Sequence, residues 1–362
     1  MSGDRLAAPD VLRGLAIAGT FATNVWVFAD PRGPGAVFAG FAGGWWLDTA
    51  LRAVANGKFL ALLTLLFGIG MELQYRSAVR RGLRWPGRHL ARAAAAANIP
   101  YGLSTVASQT PEDVQPVLGD HGWFQMYPPR DPDMRRDMLA RAKASGFHVL
   151  VVTVDVPVAS RRERQVKGGL VQPPRITPRI ALQCARRPAW SLARLRAGMP
   201  RMKTLDRYSQ DMASRDPTAH IGYLLRTAPD WDYLRWLREA WEGPLVVKGV
   251  LKAEDAERLE REGVDAVWVS NHGGRQFDGA RGAVSYLPAV RAATRLPVIF
   301  DSGIEGGLDI LRAIALGADF VMLGRAWHYA VCALGAPGPA HLAEILRRDL
   351  VANIGQLGVS RP

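Results

Sequence analysis

Residues 267–279, VWVSNHGGRQFDG, run from an apolar stretch straight into Asn271, His272, two glycines and Arg275. An imidazole just past the end of a buried strand can take a proton. The glycines beside it, Gly273 and Gly274, let the backbone come close to a flat ligand. Arg275 offers a planar guanidinium that can grip a carboxylate with two parallel hydrogen bonds. A second stretch, TVDVPVASRRER at 153–164, adds Asp155, a carboxylate able to orient the imidazole, and Arg162, a second guanidinium. A base, an orienting carboxylate and two anion-binding groups form a set suited to taking a proton from a small anionic substrate.

Such residues must be brought together by the elements that carry them. IPYGLS (99–104), WFQMY (123–127), HVLVVTVD (148–155), PLVVKG (244–249), DAVWVSNH (265–272), LPVIFDSG (296–303) and ADFVMLGR (318–325) are continuous apolar runs, the pattern of parallel strands buried on both faces. Between them lie helical stretches such as MRRDMLARAKASG (134–146), AEDAERLEREG (253–263) and LDILRAIALG (308–317), each closed by a glycine suited to end a helix. Repeated β-α units predict either a doubly wound sheet or a (β/α)8 barrel. The C-terminal strand ends are polar or glycine: Ser104, Gln125 and Tyr127, Thr153 and Asp155, Lys248, Ser270 and His272, Asp301, then Gly324 and Arg325. A barrel gathers such ends at one mouth, whereas an open sheet scatters them along a crevice, so the barrel is the expected fold.

Composition sets the wider frame. The chain has 362 residues, 48% hydrophobic and 22% charged, enough for one large domain with an appendage or for two domains. Its formal charge is +13, from 46 Lys and Arg against 33 Asp and Glu. The basic residues are scattered and form no stripe with interleaved aromatics, so a nucleic-acid partner is not expected. Two cysteines, Cys184 and Cys332, lie far apart without metal-ligand spacing, which predicts neither a disulfide framework nor a metal site and fits a reducing compartment.

Residues 1–81 have a different texture. VLRGLAIAGTFATNVWVFA (11–29) and FLALLTLLFGIGMEL (59–73) are long apolar runs, and Arg76, Arg80, Arg81, Arg84 and Arg88 follow the second. A membrane helix needs about 20 apolar residues. The runs therefore predict two membrane spans with the basic cluster on the cytoplasmic side, or else a pair of buried core helices. This opening also resembles that of a family of bacterial multi-pass membrane proteins of unknown function, through DVLRGLAIAG (10–19) and GKFLALLTLLFGIGMEL (57–73). The expected division is a hydrophobic segment at 1–81 and a barrel at 82–362.

From GLRWPGRHLARAAAAANIPYGLSTVAS at residue 82 to the C-terminus, the chain resembles the FMN-dependent α-hydroxy-acid dehydrogenases and oxidases, its lactate dehydrogenase branch above all. FQMY, TVDVP with RRER, VVKGV, SNHGGRQFDG and FDSGIEGGLDILRAIALGADFVMLGRAW stand in that family's order. The resemblance implies FMN as cofactor and oxidation of a small L-2-hydroxy acid to the 2-oxo acid. It makes His272 the base and Asp155 its partner, with Arg162 and Arg275 on the substrate carboxylate and Tyr127 hydrogen-bonding nearby. Lys248 would lie beside the flavin N1 and C2 carbonyl, where a cation stabilises the reduced ring. Ser104, Gln125, Thr153 and Ser270 would serve the ring edge, and Asp301, Gly303, Gly324 and Arg325 the ribityl chain and phosphate. The implied partners are the 2-hydroxy acid, a quinone or oxygen as electron acceptor, the membrane, and further copies of the chain. The implied location is the cytoplasmic side of the inner membrane, or the cytoplasm if residues 1–81 do not span it.

Three departures from the family pattern stand out. Glu305 occupies the phosphate loop, DSGIEGGLD, where many members have Arg, and Gln165 comes after RRER where Asp is usual. Before Gly82 the family's own start is absent: a substrate-facing Tyr, the first barrel strand and the loop after it. The expected fold is thus a (β/α)8 barrel lacking its first strand, and the alternative function is a membrane-associated, non-catalytic remnant that no longer holds FMN.

Overall fold

The computed structural model describes residues 87–158, 177–188, 191, 192, 195, 202–208, 225, 227–277, 279–360 and 362. The expected membrane segment, Arg162 and Gln165 lie outside them. The chain divides into two compact units, and the unit formed by residues 84–331 and 336–362 holds the sheet. Among the described residues no helix is long and apolar enough to cross a membrane.

Seven parallel strands, in sequential order, make one sheet curled into a half-barrel. They are β1 (Tyr101–Ser104), β2 (Gly122–Met126), β3 (Val149–Thr153), β4 (Leu245–Val250), β5 (Ala266–Val269), β6 (Val298–Phe300) and β7 (Phe320–Val321). Each falls inside or within a residue of its predicted run. Several C-terminal ends are shorter than predicted, although β1 ends at Ser104 as expected and β4 runs one residue past its predicted end: β5 stops at Val269, before Ser270, Asn271 and His272, and β6 stops at Phe300, before Asp301.

The helices are α1 (Gly87–Ala96), α2 (Pro111–Leu118), α3 (Pro132–Ser145), α4 (Pro178–Ala185), α5 (Trp231–Ala240), α6 (Ala253–Arg261), α7 (Leu287–Ala293), α8 (Gly307–Ala315), α9 (Arg325–Leu334) and α10 (Gly338–Leu357). Local chemistry sets their ends. The Thr110 and Asp131 side chains accept backbone N–H groups at the starts of α2 and α3, with Pro in the first turn of each. Gly146, Gly263 and Gly317, after α3, α6 and α8, all take positive φ, as the glycine-closed pattern predicts.

Alternation along the strands divides the core in two. Leu103, Phe124, Met126, Leu150, Val152, Leu245, Val247, Val267, Val269, Val298 and Phe300 face the helices in one large apolar cluster. Val149, Val151, Val246, Ala266, Trp268 and Ile299 form a smaller cluster on the concave face, with Trp123 and Met322 against it. Successive side chains point to opposite faces. One step of two beyond this inner cluster the concave positions become Gln125, Thr153, Lys248, Ser270 and Asp301, so the half-barrel is apolar below and polar at its mouth.

Candidate active site

The polar mouth is a set of linked pairs. On β1 to β3, Ser104 donates to Gln125 Oε1 at 2.6 Å, and Gln125 Nε2 donates to Thr153 Oγ1 at 2.8 Å. On β4 to β6, Lys248 Nζ lies 2.9 Å from Asp301 Oδ2 and donates to Ser270 Oγ at 2.5 Å. Lys248 also sits 4.8 Å from the centroid of the Trp268 ring, an attraction between a cation and the negative face of an indole. The register places Thr153 opposite Lys248, which sets the two groups side by side.

His272 opens a single 3-10 turn, His272–Gly274, whose N–H at Gly274 is accepted by the Asn271 side chain at 3.1 Å. Its φ is +58°, unusual for a residue with a Cβ. Nδ1 lies 3.3 Å from Asp155 Oδ1, and the two side chains are 19% and 10% exposed, so the pair is largely shielded from water. The Tyr127 ring is 6.4 Å from the imidazole, centroid to centroid. Asp155 Oδ2 is buried with no hydrogen-bond partner among the described residues.

Gly249 was not among the residues read from the sequence, yet it seats Asp155. It forms a bulge between Lys248 and Val250 at φ +108°, and a Cβ there would lie 2.6 Å from Asp155 Cβ. Only glycine combines that conformation with so close an approach. The two glycines after His272 have different surroundings. A Cβ at Gly273 would lie 2.8 Å from Arg325 Nη2, so Gly273 makes room for an arginine, while Gly274 faces open space.

At the last two strands, Gly303 and Gly324 would each carry a Cβ into open space, and Arg325 begins α9. The first amides of α8 are already taken, because Asp349 Oδ2 accepts from Gly307 and Leu308. The start of α9 and the Arg325 guanidinium are then the groups best placed for an anion. Glu305 is exposed on this loop and Arg275 is exposed beside the mouth. The structure brings together Ser104, Gln125 and Thr153, then Lys248, Ser270 and Asp301, then His272 and Asp155 with Tyr127. It leaves Arg275 without an ion pair among the described residues.

The family described as FMN-dependent dehydrogenase matches residues 82–362. The chain belongs to this family. An L-lactate dehydrogenase of Serratia proteamaculans is 38% identical over 307 residues, covering 84% of this chain and 79% of that protein. One of Pseudomonas aeruginosa is 40% identical over 307 residues, covering 84% and 78%. That coverage exceeds what residues 82–362 alone supply, so the similarity reaches upstream of Gly82. Among solved structures, the monotopic membrane protein (S)-mandelate dehydrogenase superposes with a TM-score of 0.71 at 37% identity, over 76% of this chain and 74% of that one. A mandelate oxidase with (S)-2-phenylpropionate gives 0.60 at 30% identity, over 76% and 70%.

FMN is the cofactor of this family, and the residues present fit it. Hydroxyls and an amide on β1 to β3 supply both donors and acceptors for a ring edge, and Lys248 supplies a cation. Gly303 and Gly324, the latter next to Arg325, are exposed, and a Cβ on either would meet nothing within 4 Å, so their backbone is open to a ligand.

Proposed function

We propose that this chain oxidises a small L-2-hydroxy acid to the corresponding 2-oxo acid, with His272 as the base. The observation that carries the reading is the shielded His272–Asp155 pair at the mouth of the half-barrel, linked to Lys248 through Ser270. When bound, FMN supplies an acceptor for the two electrons that leave the substrate α-carbon. With Nδ1 donating to Asp155, Nε2 of His272 holds the lone pair and takes the proton. Asp155 then stabilises the imidazolium. Arg275 and Arg162 bind the substrate carboxylate, a role supported by the absence of an ion pair for Arg275 among the described residues and by the planar fork of the side chain. Tyr127, beside the imidazole, orients the substrate. Ser104, Gln125, Thr153, Lys248 and Ser270 serve the flavin ring, and Asp301, Gly303, Gly324 and Arg325 the ribityl chain and phosphate.

Within the same reading, residues 1–81 attach the enzyme to the cytoplasmic face of the inner membrane and a quinone, or oxygen, receives the electrons. The apolar runs at 11–29 and 59–73, the basic cluster behind them and the monotopic membrane relative support this. The non-catalytic alternative is disfavoured, because His272 keeps its contact with Asp155 and Lys248 keeps its contact with Asp301. The experiment is to load purified chain with FMN, offer a panel of L-2-hydroxy acids with an artificial electron acceptor, and assay the 2-oxo acid. Formation from at least one substrate supports the reading. Tight FMN binding with no product from any of them overturns it. Flotation with anionic vesicles tests the attachment, which fails if removal of residues 1–81 leaves flotation unchanged.

A further inference from the structure

We propose that Ser302 is a positioning residue that holds His272 in its working conformation and ties it to the Lys248–Asp301 pair. The inference rests on the proposed role of His272 as base. Ser302 follows β6, and its φ of +86° is one that a residue with a Cβ rarely adopts. Its hydroxyl uses the full capacity of a hydroxyl group, one donor and two acceptors. It donates to Asp301 Oδ1 at 2.8 Å and accepts from Gly273 N–H at 3.1 Å and Asn271 N–H at 3.4 Å. His272 therefore sits between two amides that end on the same oxygen. Its own N–H goes to Ser270 Oγ at 3.1 Å.

The two serines close a circuit. Ser270 Oγ accepts from Lys248 Nζ at 2.5 Å, Lys248 is 2.9 Å from Asp301 Oδ2, and Asp301 Oδ1 accepts from Ser302. The backbone of the base is thus stapled on both sides to hydroxyls that end on one partly buried ion pair. Such networks act as units, and the loss of one member is felt by the others. The left-handed φ values of His272 and Ser302 are the strain that these bonds hold in place.

Two substitutions separate the hydroxyl from the backbone. Ser302→Gly removes the hydroxyl and makes φ +86° easy, whereas Ser302→Ala removes the hydroxyl and keeps the unfavourable φ. The first measurement is amide hydrogen exchange of the peptide around Asn271–Gly274 in flavin-free chain. Exchange at Asn271 and Gly273 should rise about tenfold in Ser302→Gly, since both amides lose their acceptor. The second is steady-state kinetics with FMN and the best substrate of the panel. kcat should fall about 10- to 100-fold in both variants, the scale of a misplaced catalytic group, while KM stays within about twofold because the carboxylate-binding groups are untouched. Unchanged exchange in Ser302→Gly overturns the proposal, as does wild-type kcat in that variant. So does a fall in kcat that is matched by equal losses of FMN retention and melting temperature, which would mark a purely structural role. If the unsubstituted chain oxidises no 2-hydroxy acid, the reading of function fails instead, and the exchange measurement still decides whether Ser302 holds the turn.

Discussion

The middle strands and the outer strands of this half-barrel are built differently. β2 to β5 are paired over three or four residues on both sides, and the side chains at the ends of β3 to β5 and just past β6 are bonded to each other. β7 has two residues, Phe320 is 38% exposed, and in the described sheet β1 and β7 each pair on one side only. The proposed base and the Lys248–Asp301 pair therefore rest on a frame that is supported from both flanks. The phosphate end proposed at Gly303, Gly324 and Arg325 lies after β6 and the edge strand β7. An interior ladder fixes its side chains through two neighbours, whereas an edge leaves backbone groups unpaired and relies on whatever covers it. Base and ion pair should thus be preorganised without FMN, while the phosphate end should gain most from binding it.

The largest effect expected falls on the supported frame. His272→Gln should lower substrate-driven flavin reduction about 10²- to 10⁴-fold while FMN stays bound, the usual contribution of a general base. Stopped-flow reduction compared with flavin content would check it, and equal loss of both would mean that His272 supports the cofactor.

Next comes Lys248→Met. It leaves the Asp301 carboxylate unpaired at a site where the two side chains are only 12% and 20% exposed. Breaking such a pair should cost about 3 kcal/mol, read from denaturant unfolding of the flavin-free chain. A loss as small as that of an exposed ion pair would show that the frame is looser than its geometry implies.

A smaller change is expected at the frayed end. Glu305→Arg should raise FMN affinity about two- to fivefold, the scale of one exposed charge interaction, with kcat unchanged. Titration of flavin-free chain with FMN measures it, and weaker binding would mean that Glu305 turns towards the phosphate pocket as an acceptor of some other group.

The smallest effect lies on the helical shell, away from both regions. Arg141 bonds to Glu112 on α2, to the Thr204 carbonyl and to the Tyr208 hydroxyl, joining residues 202–208 to the barrel. Burial pushes the Glu112 carboxyl up, but hydrogen bonds with Arg141, its own backbone and Thr110, together with the Arg141 charge, outweigh it and hold the group below its ordinary value. A lowered carboxyl stabilises the fold above the ordinary carboxylate range, and the contribution is lost as pH falls through the lowered value. Glu112→Gln should therefore melt about 1–2 °C lower at neutral pH, and the two melting temperatures should converge in acid.

How much of this was legible in the sequence depended on distance along the chain. Apolar runs gave every strand, because burial on both faces leaves a continuous signature. Strand ends were overrun, since Ser270 and Asp301 look like the last residues of a strand until their hydroxyl and carboxylate are seen bonding across to Lys248. Asp155, Lys248 and His272 were readable as chemistry at strand ends. Gly249 and Ser302 were not. Their roles exist only because β4 carries Gly249 against Asp155, and because the turn after β5 meets a hydroxyl 29 residues further on. The approach of Arg325 to Gly273 has the same origin, as only the fold brings the two together.

The most direct test of the account is anaerobic mixing of FMN-loaded, unsubstituted chain with L-lactate and with its D-enantiomer, followed by flavin absorbance in a single turnover. The account predicts that the L-acid bleaches the flavin and that 2-oxo acid appears in equal amount, while the D-acid does neither. Flavin that a chemical reductant bleaches at once, but that neither lactate nor any other L-2-hydroxy acid reduces, would contradict it.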